Sequence, residues 1–164
     1  MKMKAKSKPA ANPKRQLDSF FAKYDPAIAA FARRALVKLR KRLPGATEMV
    51  YDNYNGLLIG FGPNDRASLA IFSIVLFPRW VTLCFLQGAG LPDPYRRLKG
   101  SGNVVRHIRL ESLAVLDDDP EVHTLINLAV HRAKVPLDLR NRRQLIIKSI
   151  SAKQRPRRPA PPPK

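Results

Sequence analysis

Cysteine is all but missing from this chain: Cys84 is the only one in 164 residues. No disulfide framework can form within one chain, which fits a reducing cytoplasm. Cys84 lies inside an apolar run, where a small buried hydrophobe is its ordinary role. Acidic residues are scarce as well, with 12 Asp and Glu against 31 Lys and Arg. No apolar run reaches membrane-spanning length; the longest, Leu69 to Phe77, is strand-sized. The basic N-terminus leads into a polar, proline-containing segment rather than an apolar one, so no secretory leader is expected. Gly-x-Ser-x-Gly, a Walker loop and Cys-x-x-Cys are all lacking, and Gly88-x-Gly90 has no third glycine at the dinucleotide spacing. No base, nucleophile and orienting group can be named in one place, so an enzyme has no positive support.

What the chain has in excess is positive charge, +19 overall. Residues 1–15 carry six Lys and Arg and no acid, and residues 151–164 carry five and no acid. Setting those eleven aside leaves +8 for residues 16–150. Such a field attracts polyanions, nucleic acid among them. Solubility alone is the plainer account of the same charge. The two terminal segments lack apolar periodicity and concentrate like charge. They are expected to be a disordered basic arm (1–15) and a disordered, proline-rich basic tail (151–164) flanking one domain, 16–150.

Leu17, Phe20, Phe21 and Tyr24 fall at helical spacing. Asp25-Pro26 then reads as the start of a second helix with the apolar stripe Ile28, Phe31, Ala35, Leu36, Leu39 and Leu43. Its other face carries Arg33, Arg34, Lys38, Arg40, Lys41 and Arg42, with no acid. These cations either complement the helix dipole or face a polyanion. Pro44-Gly45 ends the helix. Glu48–Tyr54 and Leu57–Phe61 flank Asn55-Gly56, a hairpin signal. Ser68–Phe77 reads as a buried central strand. Trp80–Leu86 follows with Val81, Leu83 and Phe85 on one face, and Val104–Leu110 comes next. Asp117-Asp118-Asp119-Pro120 opens a last long helix, and Leu145–Ile150 suggests a final strand. Helices, then consecutive strands, then a helix predict an α+β fold, with a mainly antiparallel sheet of five to six strands packed with N-terminal and C-terminal helices.

The loop from Gly88 to Gly102 holds four glycines and two prolines between two strands, a constrained segment of the kind that carries function. Arg106 shares a strand face with Val104, Ile108 and Leu110, so burial would demand a partner. Asp93 is the nearest candidate, with Tyr51 or Asp52 next. A ligand site is therefore expected around Tyr51, Asp93, Arg106 and His107. A sequence-independent nucleic-acid surface would use Arg33, Arg34, Lys38 and Lys41 with Arg155, Arg157 and Arg158 of the tail. Asp117, Asp118 and Asp119 with Glu121 and His123 form the one cluster suited to a hard cation or iron, though acids at a helix start have capping as their common role. His123 and His131 are eight residues apart, not the i, i+4 spacing of a helical metal pair.

Pro44-Gly45-Ala46-Thr47-Glu48 with Tyr51, a compact hairpin, the Leu91-Pro92-Asp93-Pro94 loop, Leu98-Lys99-Gly100-Ser101-Gly102 and Val105-Arg106-His107-Ile108 follow in order. Over roughly residues 20–135 this series resembles the YdhG-like proteins, a bacterial family long labelled a domain of unknown function. The resemblance implies a small cytoplasmic α+β domain. Some members are described as frataxin-like intracellular iron chaperones, which makes iron an implied cargo. The family supplies no catalytic residues to carry over. Three functions are thus expected in turn: a non-enzymatic binder of a ligand or partner, a nucleic-acid-associated protein using basic arms, and an iron chaperone. No membrane is expected as a partner.

Overall fold

A computed structural model describes residues 12–163. The chain runs α1 (Pro13–Phe21), α2 (Pro26–Arg42), β1 (Thr47–Asp52), β2 (Leu57–Gly62), β3 (Phe72–Leu76), β4 (Val81–Phe85), β5 (Arg106–Leu110), α3 (Ala114–Asp117), α4 (Pro120–His131) and β6 (Gln144–Ile150). The six strands form one mixed sheet in the order β5-β4-β3-β2-β1-β6. Each of the first five pairs antiparallel with its sequence neighbour, and β6 returns to pair parallel with β1. The fold is α+β, as the element order predicts.

Alternation decides which face is covered. Val50, Leu57, Ile59, Phe61, Phe72, Ile74, Leu76, Val81, Leu83, Phe85, Ile108 and Leu110 are buried on one face. The apolar stripes of α1, α2 and α4 join that same core through residues such as Phe21, Leu39 and Leu125. The opposite face carries Met49, Leu58, Gly60, Ser73, Val75, Thr82, Cys84 and His107. Among the described residues every α-helix contributes its buried residues to the first face. Phe72 and Phe85, directly paired across β3 and β4, meet edge-on at 5.3 Å. That geometry suits the aromatic quadrupole.

Tyr24, just past α1, ties the helices to the sheet. Its buried hydroxyl accepts from the Leu57 N–H at 2.9 Å and donates to the Leu76 carbonyl at 3.0 Å. Leu57 and Leu76 face each other in the β2–β3 ladder, so one phenol spans both strands. Gly45 follows α2 at φ +81°, where a Cβ would run into the Asp138 carbonyl. Only glycine fits that left-handed, crowded position.

Several boundaries differ from the sequence expectation, each for a physical reason. α1 begins at Pro13, not near Leu17, because Asn12 caps it: its side chain accepts from the N–H groups of Lys14 and Arg15. Residues 12–15 of the expected arm are therefore helix and cap, and residues 1–11 lie outside the described residues. Asp25 precedes Pro26 as expected but makes no capping bond. The expected long strand from Ser68 starts only at Phe72, after a 3-10 turn over Ala67–Leu69. β5 starts at Arg106 rather than Val104.

The tail departs furthest from expectation. Ser151–Arg158 does not run free of the domain. The Ser151 N–H donates to the Asp52 carbonyl at 2.9 Å, and the Arg155 N–H donates to the Tyr54 carbonyl at 2.9 Å. The side chain of Arg157 is 3% exposed. Lys164 lies outside the described residues.

Candidate functional site: an aromatic cleft walled by the tail

Three connections meet at one end of the sheet: the β1–β2 turn, the β3–β4 turn and the tail. Between them lies an open cleft of about 870 Å³. Its floor is Leu58 and Val75, neighbours on the helix-free face of β2 and β3. Tyr54 and Gly56 form one wall, Phe77, Pro78 and Trp80 another, and Ser151, Arg155 and Pro156 the third. The β1–β2 turn closes through a 3.0 Å bond from the Asn53 N–H to the Gly56 carbonyl. A side chain at residue 56 would meet the Leu76 carbonyl at 2.5 Å, so glycine lets this turn lie close against β3.

Two aromatic rings remain open to solvent here, Tyr54 at 49% and Trp80 at 38% exposure. Each carries a guanidinium on its ring. Arg155 lies 5.6 Å from the Tyr54 centroid, and Arg109 of β5 lies 4.8 Å from that of Trp80. Phe77 leans on Trp80 at 5.6 Å. Aromatic faces with arginine beside them offer stacking and positive charge at one place, the chemistry that holds flat, anionic groups. Neither Arg109 nor Arg155 belongs to an ion pair among the described residues.

The acids have been drawn away from such surfaces. Eight of the twelve sit in ion pairs, two of them buried on β1. Glu48 accepts from Arg40 Nε at 2.9 Å and Nη2 at 2.8 Å. Asp52 is fully buried between Lys23 Nζ at 2.7 Å and Arg157 Nη2 at 2.9 Å. Burial pushes the Asp52 carboxyl up, but hydrogen bonds from Lys23, Gln154 and Arg157 outweigh it and hold the group below the usual carboxylate range.

The four residues expected to form a ligand site do not converge. Tyr51 stands on β1 and His107 on β5, four strand spacings apart, roughly 19 Å. The Tyr51 hydroxyl is buried with no hydrogen-bond partner. The expected Asp93–Arg106 pair is not formed. Asp93 shapes the loop through the backbone instead, accepting from the Arg97 N–H at 2.8 Å and the Leu98 N–H at 2.9 Å. Two free N–H groups within a turn satisfy a carboxylate locally, which leaves it no need of a distant cation. Arg106 turns back on its own loop and donates to the carbonyls of Gly102 and Val105. The cation that does matter is Arg97, which reaches Asp119 at 2.6 Å and Glu121 at 2.8 Å and ties the loop to α4.

The acidic run is largely occupied. Asp119 caps α4 by accepting from the N–H groups of Glu121 and Val122, and Asp117 pairs with Lys38 at 2.7 Å. His123 Nε2 hydrogen-bonds the Leu116 carbonyl at 2.8 Å. Among the described residues no three His, Cys, Asp or Glu side chains gather as metal ligands. Burial pushes the Cys84 thiol up, with the facing Ser73 pulling the other way, so Cys84 is protonated at neutral pH.

The expected nucleic-acid residues divide. Arg34 and Lys41 line a shallow groove on α2 with Val37 and Leu113 and are in no ion pair among the described residues. Arg33 pairs with Asp18 at 2.6 Å and lies over Phe21, and Lys38 is held by Asp117. In the tail Arg155 lines the cleft, Arg158 reaches Asp25 at 3.8 Å, and Arg157 is withdrawn into the protein. Arg157 is thus no free surface cation, because Asp52 needs a buried counter-charge more than solvent needs the arginine. Sequence reasoning missed Tyr54, Trp80 and Arg109; the signal on offer was the chain's sole tryptophan, placed in the turn after Pro78-Arg79.

No family model, curated protein or solved structure matches the chain. No described helix is long and apolar enough to cross a membrane.

Proposed function

We propose that this protein is a non-enzymatic binding domain that holds single-stranded nucleic acid at the aromatic cleft, without regard to sequence. The observation that carries the reading is the pair of exposed rings, Tyr54 and Trp80, each with an arginine against it at one end of the helix-free sheet face. Base faces stack on such rings whatever the base, and guanidinium groups meet the phosphates. The net charge of +19, with eight acids engaged by internal cations, draws a polyanion toward the same surface. Arg34 and Lys41 on α2 add a second, purely electrostatic contact. The YdhG-like resemblance stands beside this reading as a proposal for ancestry; the iron it implies as cargo would find no carboxylate or imidazole in this cleft.

Trp80 is the sole tryptophan, so its fluorescence reports on the cleft directly. Titration with a single-stranded oligonucleotide in low salt should quench it, and rising salt should weaken binding with a log–log slope of several units. Tyr54→Ala and Arg155→Ala should each reduce the affinity, whereas Tyr95→Ala should not. Unchanged Trp80 emission at saturating oligonucleotide and low salt would sink the reading.

A further inference from the structure

Arg155 can serve the cleft only if the tail stays down, and the tail is held by one buried residue. We infer that Arg157 is a positioning residue: its ion pair with Asp52 locks the segment from Ser151 to Arg158 onto the domain as a strap, and the strap delivers Arg155 to Tyr54. The inference rests on the cleft being the binding site and adds what assembles it.

The contacts around Arg157 are those of a lock rather than of a surface arginine. Its Nη2 meets Asp52 Oδ1 at 2.9 Å and also the Asn53 carbonyl, and its Nη1 donates to the Tyr54 carbonyl at 3.2 Å. Its guanidinium lies 5.9 Å from the ring centroid of Tyr24. Asp52 is fully buried on β1. Its other oxygen is held by Lys23, whose ammonium also reaches Gln154 Oε1 of the strap at 3.0 Å. Gln154 Nε2 returns to the Asp52 carbonyl at 3.1 Å. Residues 52–54 are thus gripped on three successive carbonyls and one carboxylate by residues 151–157. Two positions back from the lock, Arg155 has an exposed side chain and a backbone N–H fixed to Tyr54. The geometry therefore separates two tasks within one basic run: Arg157 holds, and Arg155 presents. A guanidinium suits the first task, since its planar fork can meet a carboxylate and carbonyls at once.

Hydrogen exchange on the full chain tests the lock without any ligand. In Arg157→Ala the Ser151 and Arg155 amides should exchange at least about tenfold faster, while core amides such as those of Ile59 and Ile74 keep their protection. Oligonucleotide affinity, read from Trp80, should fall as far as in Arg155→Ala. The double variant Arg155→Ala/Arg157→Ala should be no weaker than either single one, because both remove the same contact. Arg157→Lys should recover part of the protection and part of the affinity. If Arg157→Ala also loosens the core by stranding Asp52, the pair Asp52→Asn/Arg157→Gln leaves no buried charge unpaired, since Lys23 is 40% exposed, and the same local acceleration is expected from it. Unchanged exchange at Arg155 in these variants overturns the lock. Faster exchange with wild-type affinity overturns the positioning role. A wild-type protein that binds no oligonucleotide refutes the nucleic-acid reading alone, and the exchange data then decide the lock by themselves.

Discussion

Replacing Tyr24 by phenylalanine removes one oxygen from the middle of the structure and almost nothing else. The ring is buried and would stay packed. The Leu57 N–H and the Leu76 carbonyl, bonded to that oxygen at 2.9 and 3.0 Å, would both lose their partner. A buried backbone group left unpaired costs about 1–3 kcal/mol, so two of them place the loss at about 2–6 kcal/mol. For a chain of this size that is a Tm drop of roughly 5–20 °C. Urea unfolding at pH 7 would measure it, with Tyr95→Phe on the exposed loop as a control expected within about 0.5 kcal/mol of wild type. The pH dependence gives a second readout. Burial raises the Tyr24 phenol above its ordinary value, against the pull of Arg157 and the Leu57 N–H. A raised group lends stability below its unfolded value and loses it as pH rises through the folded one. The gap between wild type and Tyr24→Phe should therefore narrow in alkali, above about pH 10. A neutral-pH loss below about 0.5 kcal/mol would refute the reasoning. It would mean that β2 and β3 close on each other once the hydroxyl is gone.

Two further outcomes follow from the ion pairs. Asp52 is held below its ordinary value, so its contribution is present above the usual carboxylate range and fades as pH falls through the folded value; wild-type stability should drop in acid below about pH 4, and Asp52→Asn should show a lower neutral stability with a shallower acid limb in urea titrations. Arg97→Ala, which cuts the ties to Asp119 and Glu121, should cost about 1 kcal/mol, and Arg106→Ala, which bonds only its own loop, should cost less; equal losses in chemical denaturation would show that the loop does not depend on α4.

Local signals were legible and long-range ones were not. Asn55-Gly56 announces the hairpin because turn chemistry lies in adjacent residues. Val81, Leu83 and Phe85 announce their face because a strand's period is two. Asp119-Pro120 marks α4 for the same local reason. The tail's composition lacks a period and so carries no local sign of the docking of Ser151–Arg158. What folds it down is a carboxylate more than a hundred residues earlier, at Asp52. Asp93 was assigned the wrong partner because strand parity shows where Arg106 points but not that two nearby N–H groups already satisfy the acid. The cleft draws Tyr54, Trp80 and Arg155 from three separate stretches, and no window of sequence contains them together.

The place of β6 has a consequence for how the protein is made. β1 is the first of the described strands to be synthesised, yet its outer flank is closed by the last of them, in parallel and across most of the chain. A parallel partner cannot be supplied by a nearby turn. While the ribosome is still adding residues, β1 is therefore a sheet edge, its unpaired N–H and C=O groups open to any passing strand. Asp52 in that interval has Lys23 but not Arg157. Closing so long a loop is slow, and the exposed edge persists until β6 has emerged and docked. The same positive charge that draws a polyanion later also keeps two such nascent edges from meeting each other.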